Sequence, residues 1–235
     1  MGMMQIKGIP LVKFKNEEII DSLQSGCIYM NKLDLFRKME QAEDDDKVGD
    51  NIDGLLHLHE AIIHLPELGE SQEVHNQGIK TKYSNDYCYC FFSLQPGVSK
   101  FEFSDVQKSK MEEMGDWALI ITDFDKFLER LKEKAEAQGF EVYHGFARYF
   151  DPNIDSGNVL FSLLGEEGLK NVSFLKRNKY SYQQEYRFVL HKDGAIEDKV
   201  ILQIGDISDI SVKIKSKKVL EGYIKKADSI EGSTD

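Results

Sequence analysis

Residues 174–191 constrain the fold most strongly, because the second half of this central stretch has the period-two pattern of a β-strand. Aromatic and branched side chains recur at every second position, at Tyr186, Phe188 and Leu190. Successive side chains of a strand point to opposite faces of a sheet, so these three residues share one face. The pattern predicts a strand from Gln183 onward whose apolar face packs on a hydrophobic core.

The other face of the same predicted strand is polar. It carries an amide, a carboxylate and a guanidinium in a row, at Gln183, Glu185 and Arg187, and Lys176 precedes them in the same stretch. One interpretation is a solvated face with a same-strand ion pair, which is a common arrangement that contributes little to stability. The alternative is that these side chains belong to a functional site.

The overall charge argues against one broad class of function. The 235-residue chain has 41 acidic and 30 basic residues, and its formal net charge is −11. Clustered Lys and Arg are what bind nucleic-acid phosphates, so we expect no general binding of nucleic acid. The chain also has no run of about 18 apolar residues, so we expect no membrane partner.

The three cysteines have no metal-type spacing. Cys88 and Cys90 lie two apart in an apolar run, would share one face of a strand, and are interpreted as core thiols. Together with Cys27 they make an odd number of thiols, which favours a reducing compartment. The N-terminus lacks the pattern of a signal peptide, so the predicted location is the cytoplasm.

Strand and helix signals alternate along the chain and predict one α+β domain over residues 5–227, followed by a flexible tail at 228–235. The polar segment 67–84 is predicted to be irregular. A terminal helix is predicted from Ser216 to near Ala227. Other predicted elements are strands at 9–15, 27–30, 87–94, 117–122, 200–204 and 210–214, and helices at 16–25 and 124–138.

Residues 40–53 are acidic and poor in apolar side chains, which predicts a loop. Their spacing is not that of an EF-hand. A metal-dependent hydrolase would combine the carboxylates of residues 44–53 with His57 and His59, which share one face of a predicted strand. These groups would have to meet at about 2.0 to 2.6 Å from one ion, and ordinary histidines are the favoured interpretation.

The central stretch resembles the signature of the bacterial domain of unknown function number 2971. In that family a Lys is followed by a Trp-Ser-x-Glu-x-Glu-aromatic-Arg run. Lys176, Glu185 and Arg187 match this signature, whereas Tyr180 stands in place of the Trp and Gln183 in place of the first Glu. The opening strand, helix and strand are also similar, so the resemblance spans most of the chain.

That family is similar in turn to the ADP-ribosyltransferase fold, which implies an α+β domain with mixed or antiparallel split sheets and flanking helices. Those enzymes carry an Arg or His on an early strand, a Ser on an aromatic strand and a Gln/Glu-x-Glu late in the chain. Lys13, Ser93 and the pair Gln183 and Glu185 occur here in the same order. Lys13 departs from the pattern, because Lys makes a point-charge contact instead of a bidentate one.

The resemblance implies NAD as a substrate and a role for each residue. Glu185 would bond the nicotinamide ribose and stabilise an oxocarbenium-like transition state with its negative charge. Gln183 would orient the acceptor nucleophile, and Ser93 would steady Glu185. The residues implied to bind NAD are Lys13, Tyr29, Lys176 and Arg187.

Two functional hypotheses follow from this resemblance. The first is an NAD-consuming ADP-ribosyltransferase or glycohydrolase relative that acts as a toxin or as a phage defence or counter-defence factor. The second is a non-catalytic module that binds a nucleotide-like ligand, or a protein partner at the acidic loop 40–53. Under the second hypothesis Lys176, Glu185 and Arg187 form a structural charge cluster.

Overall fold

The structure is a computed structural model that describes residues 6–42, 49–65, 70–94, 100–155, 162–163 and 166–225. The helices are α1 (Glu17–Gln24), α2 (Leu33–Ala42), α3 (Asp105–Glu112), α4 (Phe124–Glu136), α5 (Glu166–Leu169) and α6 (Ser216–Leu220). The first seven strands are β1 (Leu11–Lys15), β2 (Cys27–Lys32), β3 (Leu56–Leu65), β4 (Glu70–Ile79), β5 (Tyr87–Ser93), β6 (Lys100–Glu102) and β7 (Trp117–Ile121). The later strands are β8 (Glu141–Phe146), β9 (Arg148–Phe150), β10 (Leu175–Arg177), β11 (Glu185–His191), β12 (Lys199–Gln203), β13 (Ser211–Lys215) and β14 (Tyr223–Lys225).

The main sheet has eight strands, and all of its pairings are antiparallel. Its path runs β12-β2-β5-β1-β7-β13, and β11 joins β5 to β8. Three two-stranded pairs, β3–β4, β9–β10 and β6–β14, surround it. This architecture is a mixed α+β domain with a mostly antiparallel sheet, as the sequence predicts.

The two edges of β5 are paired differently, and this difference opens the sheet. One edge pairs with β11 from Tyr87 to Phe92. The other edge is shared: β2 pairs at Tyr87 and Cys88, and β1 pairs at Phe92 and Ser93. Among the described strands, none pairs with residues 89–91 on this second edge. The strands β1 and β2 therefore diverge and leave a gap in the sheet.

Apolar layers cover both faces of the sheet. On one face, α1 and α4 pack against the alternate side chains of β5 and β11, including Tyr186, Phe188 and Leu190. On the other face, α3 and α6 contribute Met111 and Leu220 to a second cluster. The predicted apolar face of the central strand is confirmed. The predicted start at Gln183 is wrong, because Gln183 ends a 3₁₀ helix, Gln184 turns the backbone with a φ of 41°, and the strand begins at Glu185. Its polar face is buried as well, so the interpretation of a solvated face is wrong.

Local end signals predict several helices correctly. The side chain of Asn16 accepts a hydrogen bond from the backbone of Ile19, as expected for the residue that caps α1. Asp123 caps α4 in the same way, through the backbone of Lys126. These signals are reliable because each depends on residues within one turn of the helix.

Two predicted segments are wrong. The polar segment expected to be irregular contains β4, which pairs along its length with β3 as a hairpin. Backbone hydrogen bonds hold this pair, so an apolar side-chain pattern is not required. The terminal helix ends at Leu220 instead of near Ala227, because Gly222 interrupts it and β14 then pairs with the distant strand β6. The predicted flexible tail at 228–235 lies outside the described residues.

Candidate functional site

The gap between β1 and β2 opens into a cleft of about 940 Å³. This volume lies within the range of small-molecule sites, about 300 to 1,000 Å³. Six of the seven site residues expected from the sequence line the cleft, namely Lys13, Tyr29, Lys176, Gln183, Glu185 and Arg187.

The mouth of the cleft is apolar and exposed. Tyr29 on β2 is 43% exposed, and Ile19 of α1 stands at a similar exposure. Leu35 and Met39 of α2 complete the rim. Exposed apolar side chains gathered around one opening are typical of a ligand site, because a monomer seldom leaves such groups uncovered without a use for them.

The floor of the cleft is a buried ion network centred on Glu185. One carboxylate oxygen of Glu185 accepts a hydrogen bond from Lys176 Nζ at 2.7 Å. The other accepts one from Arg187 Nε at 2.8 Å. Lys176 also donates to the side-chain oxygen of Gln183 at 2.7 Å. The residues of the central stretch are thus brought together as one connected network.

A residue from the acidic segment completes this network. The guanidinium of Arg187 donates to both carboxylate oxygens of Asp53, at 2.7 and 3.1 Å, and this bidentate geometry is that of an ionised pair. The same guanidinium donates to the backbone oxygen of Ser173 at 2.7 Å. Two cations and two carboxylates therefore balance in the floor, so the floor network carries no net charge.

Neighbouring charges set the pKa values of the floor. Burial alone would raise the pKa of Glu185, but the charges of Lys176 and Arg187 outweigh it and hold this pKa at about 2. Burial would likewise lower the pKa of Lys176, and the carboxylates of Glu185 and Asp53 raise it instead. Glu185 and Lys176 are therefore ionised at neutral pH. Burial raises the pKa of Asp53, although the charges of Arg187 and Lys176 oppose this shift.

Lys13 lies in the gap itself. Its Nζ donates to the backbone oxygen of Cys90 at 2.6 Å and lies 4.1 Å from the centre of the Tyr89 ring. The amino group thereby gives a hydrogen-bond partner to a backbone carbonyl at the divergence of β1 and β2. Burial lowers the pKa of Lys13 to about 8, since the ammonium has lost much of its hydration.

Lys15 is a second cation on the same face of β1, and it also lines the cleft. Burial lowers its pKa too. Within the part of the chain that the structure describes, neither Lys13 nor Lys15 has a carboxylate within ion-pair distance. Since the floor network is balanced, these two ammonium groups give this part of the cleft a positive charge.

The structure does not bring Ser93 into the cleft. Its hydroxyl donates to the backbone oxygen of Pro10 at 2.7 Å, on the face of β5 opposite to Phe92 and Glu185. Instead of Ser93, the phenol of Tyr149 contacts Glu185, where its oxygen accepts a hydrogen bond from the backbone N–H at 2.9 Å. Tyr149 and Asp53 are the floor residues that the sequence interpretation missed.

Sequence signals for these two residues were weak. Asp53 lies at the end of a run of carboxylates, and nothing local distinguishes it from its neighbours. It is 134 positions from Arg187, so only the folded chain joins them. Tyr149 belongs to the Arg148–Phe150 strand, which pairs in parallel with the Lys176 strand and so places its phenol beside Glu185.

The metal-site hypothesis gains no support from the described residues, which contain no group of three His, Cys, Asp or Glu side chains placed to hold a metal ion. Asp50 and Asp53, from the acidic segment, bind Arg177 and Arg187. Residues 43–48 of that segment lie outside the described residues, so the structure describes the predicted protein-binding loop 40–53 only in part, and residues 40–42 of it belong to α2. None of the described helices has the length and apolar character needed to cross a bilayer.

Comparisons of the chain with models of known protein families, with curated proteins and with solved structures gave no match.

Proposed function

We propose that the protein is ADP-ribosyltransferase-like and binds NAD or a related dinucleotide in the cleft between β1 and β2. The observation that carries the proposal is the placement of Lys13 and Lys15, two ammonium groups without a carboxylate partner in the described chain, beside apolar walls. A dinucleotide combines a negatively charged diphosphate with flat aromatic bases. The diphosphate matches the two lysines of this cleft, and the bases match its apolar walls.

The lysines suit a diphosphate better than a single carboxylate. They are two residues apart on β1, so their side chains lie on the same face along one strand. Each has lost hydration through burial, and a bound anion would restore a partner to both. The apolar rim around Tyr29, which is 43% exposed, offers a surface on which a base can stack.

Glu185 is the candidate for the chemistry. Its pKa of about 2 keeps it ionised, and a fixed carboxylate next to the nicotinamide ribose would stabilise the positive charge that develops as nicotinamide leaves. Gln183 shares Lys176 with Glu185 and would orient an acceptor nucleophile from the same floor. A protein with this activity would serve as a toxin or as a phage defence or counter-defence factor.

A second candidate is a non-catalytic module that binds the same dinucleotide. The observation that favours it is that both carboxylate oxygens of Glu185 already accept hydrogen bonds from cations, Lys176 and Arg187. A carboxylate neutralised in this way adds little field at a developing oxocarbenium ion. Catalysis would then require one of the two cations to turn toward the ligand and release Glu185.

Calorimetric titration of NAD into the purified protein, with nicotinamide quantified in the same cell, separates these candidates. Binding with nicotinamide release that Glu185→Gln abolishes supports the transferase. Binding without release supports the module. Absence of heat at millimolar NAD contradicts both forms.

Lys13→Met should weaken NAD binding at least tenfold, the equivalent of about 1.4 kcal/mol. The matched control is Lys134→Met on α4, a surface lysine that bonds Glu133 away from the cleft. This control should bind NAD like the wild type. Equal binding by both variants would contradict the assignment of the cleft.

A further inference from the structure

The cleft contains a pair of thiols in contact. All three cysteines of the chain line it. Cys88 and Cys90 lie on the same face of β5, and their sulfur atoms are 3.5 Å apart. Cys88 is buried and Cys90 is half-buried. The sequence interpretation of both as core thiols therefore holds for Cys88 only, because Cys90 reaches the cleft.

Cys90 lies near cationic side chains. It stands directly opposite Arg187 in the register of β5 and β11, so the two side chains share one face of the sheet. Lys13 donates to the backbone oxygen of Cys90 at 2.6 Å, and Lys176 binds Glu185, the carboxylate that also binds Arg187. Partial exposure next to Lys and Arg is the setting in which protein thiols are reactive.

We propose that Cys88 and Cys90 form a reversible redox site that small hydroperoxides oxidise to a disulfide. Cys90 is the attacking thiol, because it is accessible from the cleft and lies among the cations. Cys88 is the second thiol, which resolves the oxidised intermediate. The observation behind this assignment is the sulfur contact of 3.5 Å in a cleft that both thiols line, next to the ammonium group of Lys13.

The reaction has two steps. In the first step the Cys90 thiolate attacks one peroxide oxygen, so that an S–O bond forms, the O–O bond breaks and the leaving hydroxide takes a proton to become water. Cys90 is then a sulfenic acid. In the second step the Cys88 sulfur attacks Cys90, the S–S bond forms, and the S–O bond breaks with loss of water that carries the Cys88 proton. In total two thiols lose two electrons, which reduce one peroxide to two waters.

The two thiols differ in the way these roles require. The contact with Cys90, together with burial, raises the pKa of Cys88, so Cys88 remains a thiol until a partner sulfur is oxidised. Cys88 is only 2% exposed, and peroxide in the cleft reaches Cys90 first. Burial thus protects the resolving thiol from direct attack.

The backbone around Cys90 is placed to accommodate the bond. Residues two apart on a strand are separated by about 6.7 Å between Cα atoms, near the upper limit for a disulfide. Closing the bond therefore bends the strand. Residues 89–91 pair with β11 alone among the described strands, and their other edge faces the gap. The bend would draw Cys90 away from Arg187 and reshape the wall of the cleft.

The test uses the reduced full-length protein without nucleotide, so its outcome is independent of NAD binding. One molar equivalent of hydrogen peroxide should lower the free thiol count from three to one. In mass spectrometry, the peptide that contains Cys88 and Cys90 should lose the mass of two hydrogen atoms, and reduction by glutathione should restore it. Oxidation of the Cys27 thiol before the other two, or a disulfide between two chains, would overturn the proposal.

Variants assign the roles. In Cys88→Ser the reaction should stop at a Cys90 sulfenic acid that dimedone traps, and in Cys90→Ser peroxide consumption should slow roughly tenfold or more. Cys27→Ser, a cysteine of the same cleft, is the matched control and should still lose two thiols. Dimedone labelling of Cys88 in the wild type would overturn the assignment. The wild-type peptide mass requires no variant and so decides the disulfide even where a substitution impairs folding.

Discussion

Two buried carboxylates, Glu185 and Asp86, have opposite electrostatic states in this protein. Glu185 contacts two permanent cations, Lys176 and Arg187, and its pKa is about 2. Asp86 contacts the imidazole of His191 at 2.7 Å and the hydroxyl of Ser173. Burial raises the pKa of Asp86 to about 6, because these two partners compensate it only in part. Glu185 and Asp86 are thus similarly buried, but their pKa values are shifted in opposite directions.

The balance between burial and charged partners sets the pKa of a buried carboxylate. Lys176 and Arg187 together outweigh the burial of Glu185, whereas burial raises the pKa of Asp53 despite its pair with Arg187. A histidine and a hydroxyl bring mainly hydrogen bonds. The protein keeps a fixed charge at the cleft and a titratable one beside His191, so the two sites should respond to pH in opposite directions.

The largest effect is expected from removing the cation that Glu185 and Asp53 share. Arg187→Met leaves two buried carboxylates with Lys176 alone, and breaking a buried pair in this way costs about 3 to 5 kcal/mol. Urea unfolding at pH 7 measures the loss. Arg130→Met is the matched control, because Arg130 pairs with Asp209 at the surface and should matter little. Unchanged unfolding of Arg187→Met would show that the floor network is not stabilising.

The acid response of Glu185 is the next largest effect. The pKa of Glu185 is about 2 in the folded protein and its ordinary value is 4.5. Ionised Glu185 therefore stabilises the fold above pH 4.5, and this stabilisation is lost as the pH falls toward 2. At about 1.4 kcal/mol per unit, the stability gap between wild type and Glu185→Gln should close by about 2.5 kcal/mol from pH 5 to pH 2.5. Urea unfolding across this range measures it. A constant gap would mean that the pKa is not lowered.

Asp86 should respond with the opposite sign. Its folded pKa of about 6 exceeds the ordinary value of 3.8, so its ionised form opposes folding above pH 6 and its protonation relieves this cost between pH 6 and 4. Relative to Asp86→Asn, the wild type should gain about 2 kcal/mol as the pH falls from 6.5 to 4.5. Thermal or urea unfolding of both proteins in parallel tests this. A loss of wild-type stability relative to Asp86→Asn over the same pH range would contradict the raised pKa of Asp86.

Lys13 should give the smallest effect. Its folded pKa is about 8 and its ordinary value is 10.5, so folding favours the neutral amine and stability should rise as the pH increases from 8 toward 10.5. After allowance for solvent access, Lys13→Met should differ from wild type in this rise by about 1 kcal/mol or less. Urea unfolding at pH 7 and pH 9.5 checks it.

Lys13→Arg is the control for this last effect, because a guanidinium stays charged over the whole range. It should lack the alkaline rise just as the Met variant does. A rise that persists in both variants would belong to another group and would remove Lys13 from the comparison.

Local signals predicted much of the fold because the forces involved are local. The caps of α1 and α4 at Asn16 and Asp123 depend on residues within one turn. Strand β5 follows from its dense run of aromatic residues and cysteines. The hairpin strand β4 was missed because its sequence is polar, and the short strand β14 was missed because its partner β6 lies far away in the chain.

The candidate site was predicted only in part for the same reason. The central stretch, read alone, predicted one strand face for Gln183, Glu185 and Arg187. Only Glu185 and Arg187 share a strand face in the structure, and Lys176 joins Gln183 to Glu185 from strand β10. No sequence pattern indicated that the hydroxyl of Ser93 donates to the backbone of Pro10 instead of approaching Glu185. The side on which Ser93 points follows from the register of β5 against its neighbours, which short-range patterns do not encode.

The sequence by itself determined the alternation of β11, and with it which side chains share a face, because a strand allows only two directions. Tertiary structure alone decided that this polar face is buried, that Asp53 reaches Arg187 across 134 positions, and that β1 and β2 part at residues 89–91. The physical reason is that burial and charge pairing are properties of the surroundings. A carboxylate has its charge state set by the groups that the fold places around it, and those groups come from distant parts of the chain.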